Sequence, residues 1–462
     1  MSNNNIWSNE LYLQLLEASK SFNVDREIDR DIKPICWKSL SKDVDEISLL
    51  IKAGSYDIAL ERIFESSQHI RSKKYINQQL APTAIAGAFA SFWSSLLNQG
   101  HAVFSMSPLM SLIDSQVIEW AKKKINLPKS SLGIATNGGS ISNLTALNTA
   151  RNYLTGFDVW NGGKADDLFL WKSEFAHYSI ERSAQVMGLS KSQLKDIPVN
   201  TGGEIDGTKL IDIFNSDKSH INGKHIFVCT FGNTYNGAFD DLSNFIPLID
   251  LVGRENVWIH VDAAHGGSFF HHNDFKKYFK LLEYIDSFIW NPHKLFFQPI
   301  PLSFLFFRNQ LIASYSSSHT SPYLSQNVED AICFDAHSYT LECSRTSLGF
   351  KLWLTLQLHD IEEIYKIHHN IFNLSKYFVD NLSNLENFEI FSYAKNNIIC
   401  FRYRDSSINT DYILEKLQTQ GWSLGTVDIK NIRYIRITLM DDNLSYSDID
   451  ELINILCNPE ML

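Results

Sequence analysis

The chain has 462 residues, 44% hydrophobic and 20% charged, enough apolar material for several cores, which excludes intrinsic disorder. Lys and Arg total 41 against 52 Asp and Glu, and the net charge of −11 argues against nucleic acid or an anionic membrane surface as main partner. The six cysteines are scattered, with neither a Cys-x-x-Cys pair nor zinc spacing, and the first residues lack a signal peptide's basic and apolar regions, so a reduced, cytoplasmic setting is expected.

Residues 1–80 are expected to form a helical N-terminal segment, since Ile47, Leu50, Ile51, Ile58 and Ile63 recur near helical spacing between charged positions. The window 81–97 is the most apolar. Pro82, Gly87 and several serines interrupt it, so it is expected to be a buried packing segment rather than a membrane span. Residues 81–347 read as a large domain in which short strands at 167–171, 225–230, 257–261, 286–290 and 302–307 alternate with helical stretches. Strands apolar on both faces predict an α/β fold with a mainly parallel sheet flanked by helices. Residues 348–462 read as a linking helix, 348–382, and a small C-terminal α/β domain: strands at 388–391, 398–403 and 433–439, helices at 410–420 and 447–456. The serine-rich stretch 314–321 suits a mobile surface loop.

Four segments carry chemistry. Thr136-Asn-Gly-Gly-Ser-Ile-Ser-Asn follows a short apolar run and opens a helix, so backbone N–H groups beside a positive dipole end suit a phosphate. The same residues also suit an ordinary helix start capped by Ser140 or Ser142. Val257-Trp-Ile-His-Val-Asp-Ala-Ala-His-Gly-Gly ends a strand on Asp262, at the edge where open α/β sheets bind ligands. A carboxylate there can pair with a cationic ring atom or make a turn, and Ala263 and Ala264 leave room for a flat ring. Trp290-Asn-Pro-His-Lys sets Lys294 among apolar residues, where a destabilised ammonium becomes an amine able to form a Schiff base; a snorkelling surface lysine is the alternative. Ser173-Glu-Phe-Ala-His places His177 just after a strand, as a stacking ring or a structural histidine.

In this order, a phosphate cradle, a stacking ring, a partner for a ring nitrogen and an amine for an aldehyde describe a pyridoxal 5′-phosphate site. The sequence resembles the group II pyridoxal-phosphate amino-acid decarboxylases, the family of glutamate, aromatic-amino-acid and diaminobutyrate decarboxylases, over about residues 75–455. Asn-Gly-Gly-Ser-Ile-Ser-Asn resembles its phosphate loop, Asn-Pro-His-Lys its cofactor-lysine motif, and Val-Asp-Ala-Ala-x-Gly-Gly its aspartate motif. Met106-Ser-Pro-Leu-Met-Ser-Leu-Ile and Cys343-Ser-Arg-Thr-Ser-Leu-Gly-Phe are similar to two flanking family segments.

The resemblance implies a pyridoxal-phosphate fold type I enzyme with a seven-stranded sheet, working as a homodimer with shared active sites. It implies that Lys294 binds the cofactor aldehyde, Asp262 keeps the pyridine nitrogen protonated, and His177 and Ala264 face the ring. Ser140 and the N–H groups of Gly139 and Ser140 would hold the phosphate, with Asn291 and His293. Tyr323, 29 residues after Lys294, matches the family's mobile-loop proton donor, and Arg436 resembles the arginine that holds a substrate carboxylate. The implied reaction is α-decarboxylation of an L-amino acid, leaning to 2,4-diaminobutyrate or a glutamate-like substrate; aromatic decarboxylation and aldehyde-forming chemistry are the alternatives. No metal is called for. Three departures stand out. The family's Thr-x-Gly-Thr-Thr is here Thr230-Phe-Gly-Asn-Thr, so Phe231 and Asn233 are expected to alter the pocket. His265 stands where Tyr, Trp or Ser is common, and Thr346 and Ser347 follow Arg345 where a second Arg is common.

Overall fold

The computed structural model describes residues 9–21, 40–156, 162, 164–316, 335–391 and 396–458. Strands β1 (Tyr75–Ile76), β2 (Leu132–Thr136), β3 (Leu168–Ser173), β4 (Leu194–Ile197), β5 (Lys224–Thr230) and β6 (Val257–Ala263) are followed by β7 (Ser287–Trp290) and β8 (Ser303–Phe307). The C-terminal strands are β9 (Phe388–Ile390), β10 (Ile398–Tyr403), β11 (Ser423–Ile429) and β12 (Ile432–Thr438). A seven-stranded sheet has the order β2-β8-β7-β6-β5-β3-β4, in which β8 alone runs against its neighbours. The expected mainly parallel sheet is thus present.

Its side chains divide by the two-residue period of a strand. On β6, Val257, Ile259, Val261 and Ala263 enter one core, with Phe227 and Trp290. Trp258 enters the other, with Ala146, Leu147 and Ala150 from the helix Gly139–Thr155. His260 and Asp262 lie on that same second face, which decides what they meet.

Four expectations need correction. The N-terminal segment is not wholly helical: after helices Asn9–Ser21, Leu40–Lys52 and Tyr56–Glu65, β1 pairs parallel with β11 at the edge of the C-terminal sheet β1-β11-β12-β10-β9. Two residues carry too little pattern to announce a strand. The linking helix is two helices, Gly349–Leu358 and Ile361–Ser383, because His359 is extended and the Asp360 carboxylate caps the second by accepting the Glu362 N–H. Strand β11 escaped the sequence reading; it returns to β12 through Lys430 and Asn431, both left-handed at φ 51° and 64°, a two-residue hairpin without the usual glycine. The helix Ile85–Leu97, within the segment read as buried, buries only Ala86, Gly87, Ala90 and Ser94, leaving Ile85, Phe89, Phe92, Trp93, Leu96 and Leu97 exposed. Among the described residues no helix is long and apolar enough to cross a membrane.

The histidines His225, His260, His265 and His368 are each at most 1% exposed. Burial disfavours the imidazolium and depresses His225, His260 and His368 to about 4 and His265 to about 3, from an ordinary 6.5. Below 6.5 the unfolded chain takes up protons that the folded chain refuses, so stability falls as pH drops towards the folded values. Each group removes about 1.4 kcal/mol per pH unit across that window. We predict a urea midpoint that falls steeply between pH 6.5 and about 4; a flat midpoint there would mean these rings are not held neutral.

Candidate active site

The ends of β2, β3, β5, β6 and β7 meet at one edge of the sheet, and the turns leaving them line a cavity of about 310 Å³. Asn137–Ser140, His177, Thr230, Asp262, Ala264, His265, Asn291, His293 and Lys294 all face it. Residues taken from four separated segments of the sequence therefore share one pocket.

At the β2 turn, Gly138 has φ +105°, a conformation that side-chain-bearing residues rarely adopt, and it begins the helix Gly139–Thr155. No side chain caps that helix. Ser142 is instead buried, bonded to Thr136 Oγ1 at 2.5 Å and Ser303 Oγ at 2.8 Å, whereas Ser140 lines the cavity. The capping reading of Ser140 and Ser142 is thus corrected: among the described residues no side chain caps this helix start. A Cβ on Gly139 would stand 2.8 Å from Asn291 Nδ2. Asn291 is 4% exposed and its Oδ1 has no hydrogen-bond partner among the described residues. The Asn137 N–H lies 3.2 Å from both carboxylate oxygens of Glu342.

Asp262 is 4% exposed at the tip of β6, and each oxygen of its carboxylate accepts a hydrogen bond. Oδ1 accepts the Ala264 N–H at 3.1 Å and Oδ2 accepts Asn143 Nδ2 at 2.9 Å. Asn143 also reaches His260 at 2.9 Å and Ser179 Oγ at 2.9 Å. Sequence reasoning missed Asn143, His260 and Ser179. The available signal was periodicity: His260 shares a strand face with Asp262, and Asn143 lies one helical turn after Gly139, on the helix covering that face.

The Lys294 amine is pushed down to about 8, chiefly by burial and further by Arg436, with Asp262 opposing. A substantial fraction is neutral near physiological pH, as a nucleophilic amine requires. His177 begins the helix Tyr178–Val186, its Nδ1 accepting the Ser179 N–H at 3.2 Å. Burial first, and then Lys294, lower its pKa below the ordinary histidine value against the pull of Asp262. His293 is tied through Nδ1 to Leu302 and depressed to about 4 by burial.

The remaining expectations divide. His265 lines the cavity, with Nε2 on Asn397 Oδ1 at 2.8 Å and Nδ1 without a partner. Phe231 does not reach the cavity; it stacks on Phe239 and packs against Phe279. Asn233 also faces away, accepting the Tyr235 and Asn236 N–H groups and donating to the Gly203 carbonyl. The expectation that both alter the pocket is therefore corrected: alternation turns Phe231 into the aromatic core and the turn consumes Asn233. Arg436 stands behind the wall, donating to the carbonyls of Thr234 at 2.8 Å and Asn77 at 3.1 Å, and its other terminal nitrogen has no partner among the described residues. Arg345 and Ser347 serve the scaffold, through the His101 carbonyl and Asp114. Tyr323 lies outside the described residues.

The pocket fits pyridoxal 5′-phosphate on its own terms: an uncapped helix start with an orphaned Asn291 oxygen beside it, a buried carboxylate and a depressed amine. A family model for the pyridoxal-dependent decarboxylase conserved domain matches residues 57–404. The acidic amino acid decarboxylase GADL1 of Homo sapiens is 27% identical over 341 residues, 72% of this chain and 64% of that protein. The chain thus spans just under two thirds of that relative's length. The aromatic-L-amino-acid decarboxylase of Bacillus atrophaeus is 25% identical over 388 residues, 81% of this chain and 78% of that protein. The solved glutamate decarboxylase domain of a diaminobutyrate-pyruvate transaminase and L-2,4-diaminobutyrate decarboxylase from Vibrio parahaemolyticus superposes with a TM-score of 0.82 at 20% identity, covering 100% of this chain and 98% of that one, a likeness of fold. With most of the chain matched to one family and that family's cofactor suited to the pocket, this protein belongs to the pyridoxal-dependent decarboxylases.

Proposed function

We propose that this protein removes the α-carboxylate of an L-amino acid to give the amine and carbon dioxide, with acidic amino acids and 2,4-diaminobutyrate as first candidates. The observation that carries the reading is Lys294 and Asp262 facing one cavity, an amine poised to bond an aldehyde and a carboxylate poised to hold a ring nitrogen protonated. When bound, pyridoxal 5′-phosphate supplies the electron sink for the pair left as carbon dioxide departs. Asn291, His293 and the N–H groups of Gly139 and Ser140 hold the phosphate in this reading. His177 and Ala264 fix the ring plane, so the bond to be broken can stand perpendicular to it. Tyr323 delivers the proton to Cα.

A homodimer is part of the proposal. Ile85, Phe89, Phe92, Trp93 and Leu96 recur along one helix face, and Phe89, Phe92 and Trp93 are 39–54% exposed, an apolar surface suited to a second copy of the chain. Replacing Phe89 and Trp93 together by Glu is expected to convert a dimer to monomer in sedimentation velocity, with far-UV spectrum retained.

Lys294→Ala is expected to abolish the visible absorbance of bound cofactor and its covalent retention after borohydride reduction. Retention of both would remove the lysine assignment. Incubation with single L-amino acids, 2,4-diaminobutyrate and cysteine sulfinate included, is expected to release carbon dioxide and amine in equal amounts for at least one of them. Tyr323→Phe should keep the cofactor and lose amine output or divert to carbonyl product and ammonia. Unchanged amine output in that variant would rule out the proton-donor role.

A further inference from the structure

Behind Asp262 runs a hydrogen-bond chain whose direction is set independently from both ends. Trp258 Nε1 can only donate, and it donates to Ser287 Oγ at 2.8 Å. Ser287, opposite His260 in the β6–β7 register, makes its one other hydrogen bond among the described residues to His260 Nδ1 at 2.8 Å, and its hydroxyl proton is used only if it donates there. A neutral imidazole that accepts at Nδ1 carries its proton on Nε2, and that atom lies 2.9 Å from Asn143 Oδ1. From the opposite end, an ionised Asp262 carboxylate can only accept, so the Asn143 group 2.9 Å from Oδ2 is the amide nitrogen and its oxygen turns to His260. The two derivations meet at His260 and agree.

The same Asn143 nitrogen donates to Ser179 Oγ at 2.9 Å, which directs the Ser179 hydroxyl proton to His177 Nδ1 at 2.8 Å. His177 Nδ1 also accepts the Ser179 backbone N–H at 3.2 Å, so its own proton sits on Nε2. Trp258, Ser287, His260, Asn143, Asp262 and Ser179 are all at most 4% exposed, leaving little room for water to reverse any link.

We propose that Asn143 is a positioning residue that holds Asp262 and, through Ser179, His177 in one hydrogen-bonded unit, its amide orientation being supported from Trp258 through Ser287 and His260. The consequence for the cofactor rests on the reading of Asp262 and His177 given above. Reversing the amide would turn its oxygen onto the Asp262 carboxylate, replacing a donor by an acceptor and leaving that carboxylate less firmly placed to meet a ring nitrogen.

Two measurements on the cofactor-loaded protein test this. Histidine-selective 15N spectroscopy, with His260 assigned by His260→Gln, is expected to show a proton on Nε2 and a bare Nδ1. The Nδ1–H tautomer, or a charged ring at neutral pH, would overturn the direction of the chain. Ser287→Ala breaks the chain two links from Asp262 without touching the cavity. It is expected to weaken pyridoxal 5′-phosphate binding roughly 10-fold or more, the scale on which outer hydrogen-bond partners tune a bound group, and to shift the visible band of the bound cofactor. Ser287→Thr, which keeps the hydroxyl, should restore both. Lowered thermal stability with unchanged affinity and spectrum would overturn the coupling and reduce the network to scaffold. The His260 tautomer is independent of what Lys294 binds, so a failed cofactor assignment is distinguishable from a failed relay.

Discussion

A carboxylate withdrawn almost entirely from water is tolerable only if donors meet its lone pairs, and the architecture of this protein follows from meeting that condition at Asp262. One oxygen takes the N–H of Ala264, two residues on, and the other takes the amide of Asn143, from a different layer of the fold. The carboxylate is therefore held in place at a strand tip. Lys294 is in the complementary position: burial works against its ammonium while Asp262 works for it, and the balance leaves an amine within reach of neutrality. Neither group has its properties alone.

The parallel strands explain why these two meet. With β3, β5, β6 and β7 running the same way, the turns that leave them collect at one edge, and side chains distant in sequence share a cavity. The period of two then decides function from packing within a single strand. Val257, Ile259, Val261 and Ala263 fill a core, whereas Trp258, His260 and Asp262 turn to the helix Gly139–Thr155.

What the sequence made legible was local. A strand ending in Asp262, a lysine just past a strand, and a glycine turn opening a helix are each visible in a short window, and the structure draws all three to one pocket. Less visible were contacts across long separations. Asn143 and His260 are 117 positions apart, and only the sheet and its covering helix make them neighbours. Phe231 and Asn233 were misread because proximity in sequence to a cavity residue, Thr230, says nothing about which way a side chain turns; one joined an aromatic core and the other built a turn. The break at His359 and Asp360 was obscured by apolar residues that continue at helical spacing on either side of it.

The pairing of β1 with β11 bears on how the chain is made. Asn77, just past β1, bonds Ser423 across 346 positions, and its carbonyl receives Arg436. During synthesis β1 therefore waits without its partner until the chain beyond residue 420 has been made. Non-local closure of this kind is slow, and an uncovered strand edge in the meantime is a template for association with other chains. The early segment thus acts as a latch that a nascent chain must keep available, and proteins shortened at that end would lose both the sheet's border and one restraint on the guanidinium behind the pocket.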